Sequence, residues 1–129
     1  MMNPLVISPT TKTPEVHFDA QQGFMTIIGR SIPENALDFF QPIKNWMIDY
    51  SESPSDLTIL EVKLEYFNTS SSKMLLDLMK VLERMHVGGS AVQIKWFHEE
   101  EDEDMLEAGE DYQAIIRVPF EMVSVDEMF

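Results

Sequence analysis

The feature that most constrains this chain is the order strand, loop, helix, strand in its middle. Residues 57–67 are rich in Leu, Ile and Val, residues 74–85 carry apolar side chains at helical spacing, and residues 91–97 return to alternation. Two strands joined by a helix of about four turns form a βαβ unit, so they lie parallel and the crossover is right-handed. In the first strand Val62, Leu64 and Tyr66 are predicted to point one way, and Glu61, Lys63 and Glu65 the other. Ile59-Leu60 breaks that phase, which implies cover on both faces or a bulge. In the helix Leu75, Leu78, Leu82 and Met85 make one stripe, with Asp77, Lys80, Glu83 and Arg84 facing water. Gly88-Gly89 supplies the stop, and Val92, Ile94 and Trp96 share a face of the second strand.

The flanks extend this unit. Residues 1–14, with Pro4, Pro9 and Pro14, read as an irregular or extended lead-in. Residues 15–19 and 24–30 pair as a hairpin about Gly23, which is free to take positive φ. Asn35 is a good N-cap, with Asp38 suited to the dipole, and Leu37, Phe40, Ile43, Met47 and Tyr50 follow helical spacing. Pro42 within that pattern implies a kink, or a helix that begins near it. Residues 105–112 read as a short helix, residues 114–118 as a last strand stopped by Pro119, and the acidic tail to Phe129 as partly frayed. The expectation is an α/β fold, one domain over residues 1–129, with a mixed sheet of about five strands and helices packed against it.

Composition removes several function classes. Acidic residues number 23 against 9 basic ones, a formal net charge of -14, which disfavours free nucleic acid and anionic membrane surfaces as ligands. The absence of cysteine excludes disulfides, thiol catalysis and cysteine metal sites. No run has the length of a membrane span and no export signal is visible, so a cytoplasmic protein is expected. The acidic run 99–104 lacks the register of a calcium loop and reads as a solvated helix start. His17, His86 and His98 have no metal-ligand spacing and read as surface or half-buried residues. No metal and no cofactor is expected.

The functional candidate is the loop inside the βαβ unit, Asn68-Thr69-Ser70-Ser71-Ser72-Lys73. Five consecutive side chains can each bond a backbone amide, where a helix start needs one cap or two. If Ser70 is the cap, Lys73 occupies the place a capping box gives to Glu or Gln, and a cation there opposes the helix dipole. An anion at the loop reverses that sign, so the loop suits a phosphate, either bound or made on a hydroxyl, unless it is only a serine-rich cap. Ser70 and Lys73 also match a Ser-x-x-Lys nucleophile pattern, but its companion motifs are missing and no catalytic residue is expected. An acidic decoy that mimics nucleic acid is a further alternative.

Several stretches together resemble the SiaC family of bacterial regulatory phosphoproteins: Thr13-Pro14-Glu15-Val16, Ser31-Ile32-Pro33-Glu34-Asn35, Tyr66-Phe67-Asn68-Thr69-Ser70-Ser71-Ser72-Lys73, Trp96-Phe97-His98-Glu99-Glu100, and Asp102-Glu103-Asp104 with Gly109. The resemblance implies a variant of the STAS fold of anti-sigma-factor antagonists. It implies Thr69 as the residue phosphorylated by a partner protein kinase, with a metal-dependent serine/threonine phosphatase removing the phosphate. It further implies that the unphosphorylated protein binds and activates a diguanylate cyclase, and so acts in cyclic di-GMP signalling and biofilm control. A partner switch acting on transcription is the related alternative. Asn68, Ser70, Ser71, Ser72 and Lys73 are the expected partner and phosphate loop around Thr69.

Overall fold

In the computed structural model, which describes residues 2–129, the central segment folds as its pattern requires. The elements in chain order are β1 (Leu5–Ile7), β2 (Glu15–Asp19), β3 (Phe24–Ser31), α1 (Ala36–Ser51), β4 (Leu57–Phe67), α2 (Thr69–Val87), β5 (Ala91–Glu99), α3 (Glu103–Ile115) and β6 (Phe120–Val125). They make a six-stranded sheet in which spatial order equals sequence order. β1, β2 and β3 pair antiparallel, and β3 through β6 pair parallel. Each parallel step moves one strand in the same direction through one helix. A right-handed crossover repeated three times sets α1, α2 and α3 on one face of the sheet.

Burial agrees with a sheet covered on that face. Thr58, Leu60, Val62 and Leu64 of β4 and Val92, Ile94 and Trp96 of β5 are buried. Their neighbours of opposite parity, such as Glu61, Lys63 and Lys95, are only partly covered. On that other face Lys63 bridges to Glu61 at 3.5 Å and lies 4.6 Å from the centre of the Phe97 ring. Leu75, Leu78, Leu82 and Met85 all enter the core, joined by Met79 and Val81. Among the described residues no helix is long and apolar enough to cross a membrane.

Several local expectations need correction. Leu60 keeps phase with Val62 and Leu64, so β4 has no break at Ile59-Leu60. The irregularity lies later: Gly29 pairs with Leu64 but Arg30 with Tyr66, leaving Glu65 as an extra residue. A bulge of this kind reverses the facing of the residues after it. Tyr66 therefore turns outward, 54% exposed, while Phe67 turns in against Trp96, ring centres 5.9 Å apart.

In α1, Leu37 is exposed and Ala36 takes its place in the core beside Phe40. The helix runs through Pro42, which sits on the exposed side, so the ring meets water and only the Asp38 carbonyl loses its helical donor. At the C-terminal end α3 continues to Ile115, so residues 114–118 are no strand, and Ile116 and Val118 fill the core from the connection. The strand begins after Pro119, whose carbonyl accepts from Ile94 N, and Phe120–Val125 of the tail expected to be partly frayed are β6, an edge strand paired with β5. At the N-terminus Leu5–Ile7 pair with β2, and Trp46 donates to the Asn3 carbonyl at 2.9 Å, so only part of the lead-in is irregular. His98, placed by its sequence at the surface or half-buried, is 6% exposed at the end of the buried row of β5.

The central packing assignment yields one prediction. Leu78→Ala should cost about 2–5 kcal/mol, because the site is enclosed and cannot collapse freely. Urea denaturation checks this, and an unchanged midpoint would show that α2 faces the sheet differently.

Candidate functional site

The expected loop over residues 68–73 is a single connecting residue, Asn68, followed by the first turn of α2, because the Asn68 side chain caps the helix at once. The junction lies at the carboxyl edge of the parallel strands, where open α/β sheets place their ligands. Here Asn68, not Ser70, caps α2: its backbone is extended and its side chain accepts from Ser71 N at 2.9 Å. Thr69 and Ser70 are then the first two helical residues, and both are exposed.

Ser71 is different. It is fully buried and meets Ser31, also fully buried, at the end of β3. The two hydroxyl oxygens are 2.8 Å apart, and Ser71 Oγ also donates to the Ser31 carbonyl at 3.0 Å. Each hydroxyl has one proton, so Ser31 must donate to Ser71 Oγ and the pair is closed. Asn68 N donates to the same Ser31 carbonyl at 3.0 Å. Ser31 thus holds the cap from the neighbouring strand. An enzyme that modified Ser71 would have to open this buried network.

Ser72 is half-buried, and its hydroxyl donates back to the Thr69 carbonyl at 2.7 Å. Its own carbonyl accepts from the Tyr112 hydroxyl at 2.8 Å, which ties α3 to the first turn of α2. Tyr112 packs 5.3 Å from Trp96, and Trp96 Nε1 donates to the Met105 carbonyl at 2.9 Å. Gly109 permits this closeness, since a Cβ there would overlap the Trp96 ring and the Met122 methyl. Lys73 is exposed. Among the described residues the ion pairs are Lys12–Glu34 and Lys63–Glu61, so Lys73 does not bridge to Asp77.

The six predicted residues therefore divide. Thr69, Ser70 and Lys73 are free to meet a partner, whereas Asn68, Ser71 and Ser72 build the support. Ser31 and Tyr112 escaped prediction. The spacing of Met105, Gly109 and Tyr112 at helical intervals would have placed Tyr112 on the inner face, but nothing local pairs Ser31 with Ser71.

The sequence model of the SiaC family of regulatory phosphoproteins matches residues 7–125. The chain belongs to the SiaC family. An uncharacterized protein of Pseudomonas aeruginosa (strain UCBPP-PA14) is 31% identical over 126 residues, covering 98% of this chain and all of the relative. The crystal structure of apo-SiaC from P. aeruginosa is similar at 30% identity with a TM-score of 0.87, covering 95% of this chain and 99% of that one. SiaC in a complex described as the diguanylate cyclase SiaD with its activator is similar at 30% identity and a TM-score of 0.89, covering 94% and 99% of the two chains. This SiaC-family chain thus has its mixed α/β fold in common with solved members.

Burial pushes the Tyr112 phenol well above its ordinary value of 10.0, and the nearby Asp111 carboxylate adds to the rise. The unfolded chain ionises this group first. Stability is therefore full below about pH 10 and falls as pH rises above it. Tyr112→Phe should lessen that alkaline loss while costing about 1 kcal/mol at neutral pH. Denaturation midpoints from pH 7 to pH 11 test this, and equal alkaline slopes for the two proteins would refute it.

Proposed function

We propose that this SiaC-family chain acts as a single non-catalytic, cytoplasmic phospho-switch domain. In its unphosphorylated form it binds and activates a diguanylate cyclase, and so promotes cyclic di-GMP signalling and biofilm formation. A partner kinase phosphorylates Thr69 and releases it, and a metal-dependent serine/threonine phosphatase resets it. The family and the likeness to SiaC, an activator of SiaD in its complex, support the partner class. The choice of Thr69 is what the family resemblance implies, and the local geometry supports it: Thr69 and Ser70 are exposed in the first turn of α2 while Ser71 is sealed against Ser31. Thr69 also shares a helix face with Ser72, Lys73 and Leu76, at the offsets that place side chains in one row.

The physics of the switch is short-ranged. A phosphothreonine carries about -1.5 to -2 charge, which a helix N-terminus without its own first-turn acid accommodates. The domain stays folded. A partner that covers the neutral threonine must instead desolvate a dianion, and a loss of about 3–4 kcal/mol is two to three decades of affinity. Lys73, one turn on and without an ion pair, screens the phosphate.

Thr69→Ala should accept no phosphate from the cognate kinase and should keep its fold, and mass spectrometry of the wild type should place the phosphate on Thr69. A phosphate on Ser70 would reject the assignment. Cyclase assays with the two forms test the direction of the switch: equal stimulation by phosphorylated and unmodified protein would contradict it. Lys73→Met should destabilise only the phosphorylated form, read as a non-zero coupling in a double-mutant cycle of thermal melts.

A further inference from the structure

Beside Thr69 the surface is grooved. One cleft of about 340 Å³ lies between Ser72, Lys73 and Leu76 of α2 and Ala108 and Tyr112 of α3. A second, of about 320 Å³, runs on between Tyr66 and Met105. Phe67 and Ala108 line both, so the two are one trough with an apolar floor. Its volume suits several side chains of a polypeptide segment.

The charges along the trough are graded. Glu65, Asp102 and Asp104 line the end near Tyr66, and the surface beyond them continues between Glu99 and Glu127. The end next to Thr69 carries Lys73 opposite Asp111. None of these carboxylates is in an ion pair among the described residues. Nor do they gather around a cation: among the described residues no three His, Asp or Glu side chains are placed to hold a metal ion. Asp102 caps α3 by accepting from Met105 N and Glu99 accepts from Met128 N, but among the described residues no cationic side chain pairs with this end, beside exposed Tyr66. A second copy of this chain is a poor occupant, because it has a formal net charge of -14 and would meet like charge.

We propose that the trough between α2 and α3 docks a basic amphipathic segment of the partner that Thr69 controls, with its cations over Glu65 and Asp104, its apolar residues over Phe67 and Ala108, and a non-basic end beside Thr69. The proposal rests on the phospho-switch reading for the partner's identity and adds the chemistry and polarity of the contact. The grading explains how one added anion can release a basic partner. The partner's cations lie at the far end of the trough, so a phosphate on Thr69 meets a neutral or acidic end and pairs with Lys73 instead. Recognition of this kind uses apolar anchors for affinity and charge for orientation.

The test uses the full chain and a synthetic peptide with an apolar helical face, lysines gathered at one end and a nitroxide at the other. Neither cyclase, kinase nor phosphate takes part, so its failure and the failure of the cyclase reading are separable. Backbone amide spectra should show shifts confined to Tyr66, Phe67, Ala108 and their neighbours, with the nitroxide broadening Thr69 and not Asp104. The pair Glu65→Lys and Asp104→Lys should weaken binding about tenfold or more, whereas Asp49→Lys with Glu52→Lys, exposed at the other end of the sheet, should leave it nearly unchanged. Unchanged melts of both double variants confirm that they fold. Absence of binding, shifts spread over the acidic surface, equal losses from the two double variants, or broadening at Asp104 would each overturn the proposal.

Discussion

The architecture depends on parallel strands that are neighbours in space and successive in sequence. β3, β4, β5 and β6 each step one place along the sheet, and each step needs a helix to return the chain. Because the crossovers share one hand, the helices share one face. That stacks the core on one side, where Trp96 and the α2 stripe are buried, and leaves the other side partly exposed with its Lys63–Phe97 contact. It also brings every strand-to-helix loop to one edge. The junction of β4 with the first turn of α2 is central there, flanked by the end of β3 and by α3, so its geometry is set by neighbours on both sides.

Those neighbours explain why a row of hydroxyl residues has unequal chemistry. Ser31 arrives from β3 and uses its carbonyl and hydroxyl on Asn68 and Ser71. Tyr112 arrives from α3 and takes the Ser72 carbonyl. Thr69, Ser70 and Lys73 are left outside. Fully satisfied buried polar networks rigidify their surroundings. The exposed hydroxyls are thus presented on a rigid frame, and a charge added there changes the surface more than the fold.

Much of this was legible in the chain. The βαβ unit, the hairpin about Gly23 (φ 67), the α2 stripe and the place of the hydroxyl loop are all set by period and punctuation. The misreadings share a cause, which is tertiary context. Three residues in β1 are too few to show a period, and they pair only because β2 offers an edge. Ala114-Ile115 alternates like a strand, yet α3 holds it, and the strand lies beyond Pro119. Tyr66 changes face because of a bulge specified by pairing with β3. The Ser31–Ser71 contact joins residues 40 apart, which no local pattern encodes. The position of the hydroxyl row could be read, but not that it forms the first turn of α2, nor which of its hydroxyls are free.

The central claim is that phosphorylation at the start of α2 alters a surface while the supporting network stays closed. Amide hydrogen exchange on the unmodified and phosphorylated proteins tests it most directly. The account predicts equal protection in β4, β5 and the body of α2, with Ser71 as slow to exchange after phosphorylation as before. Loss of protection at Ser71, or through α2 and the sheet, would contradict it.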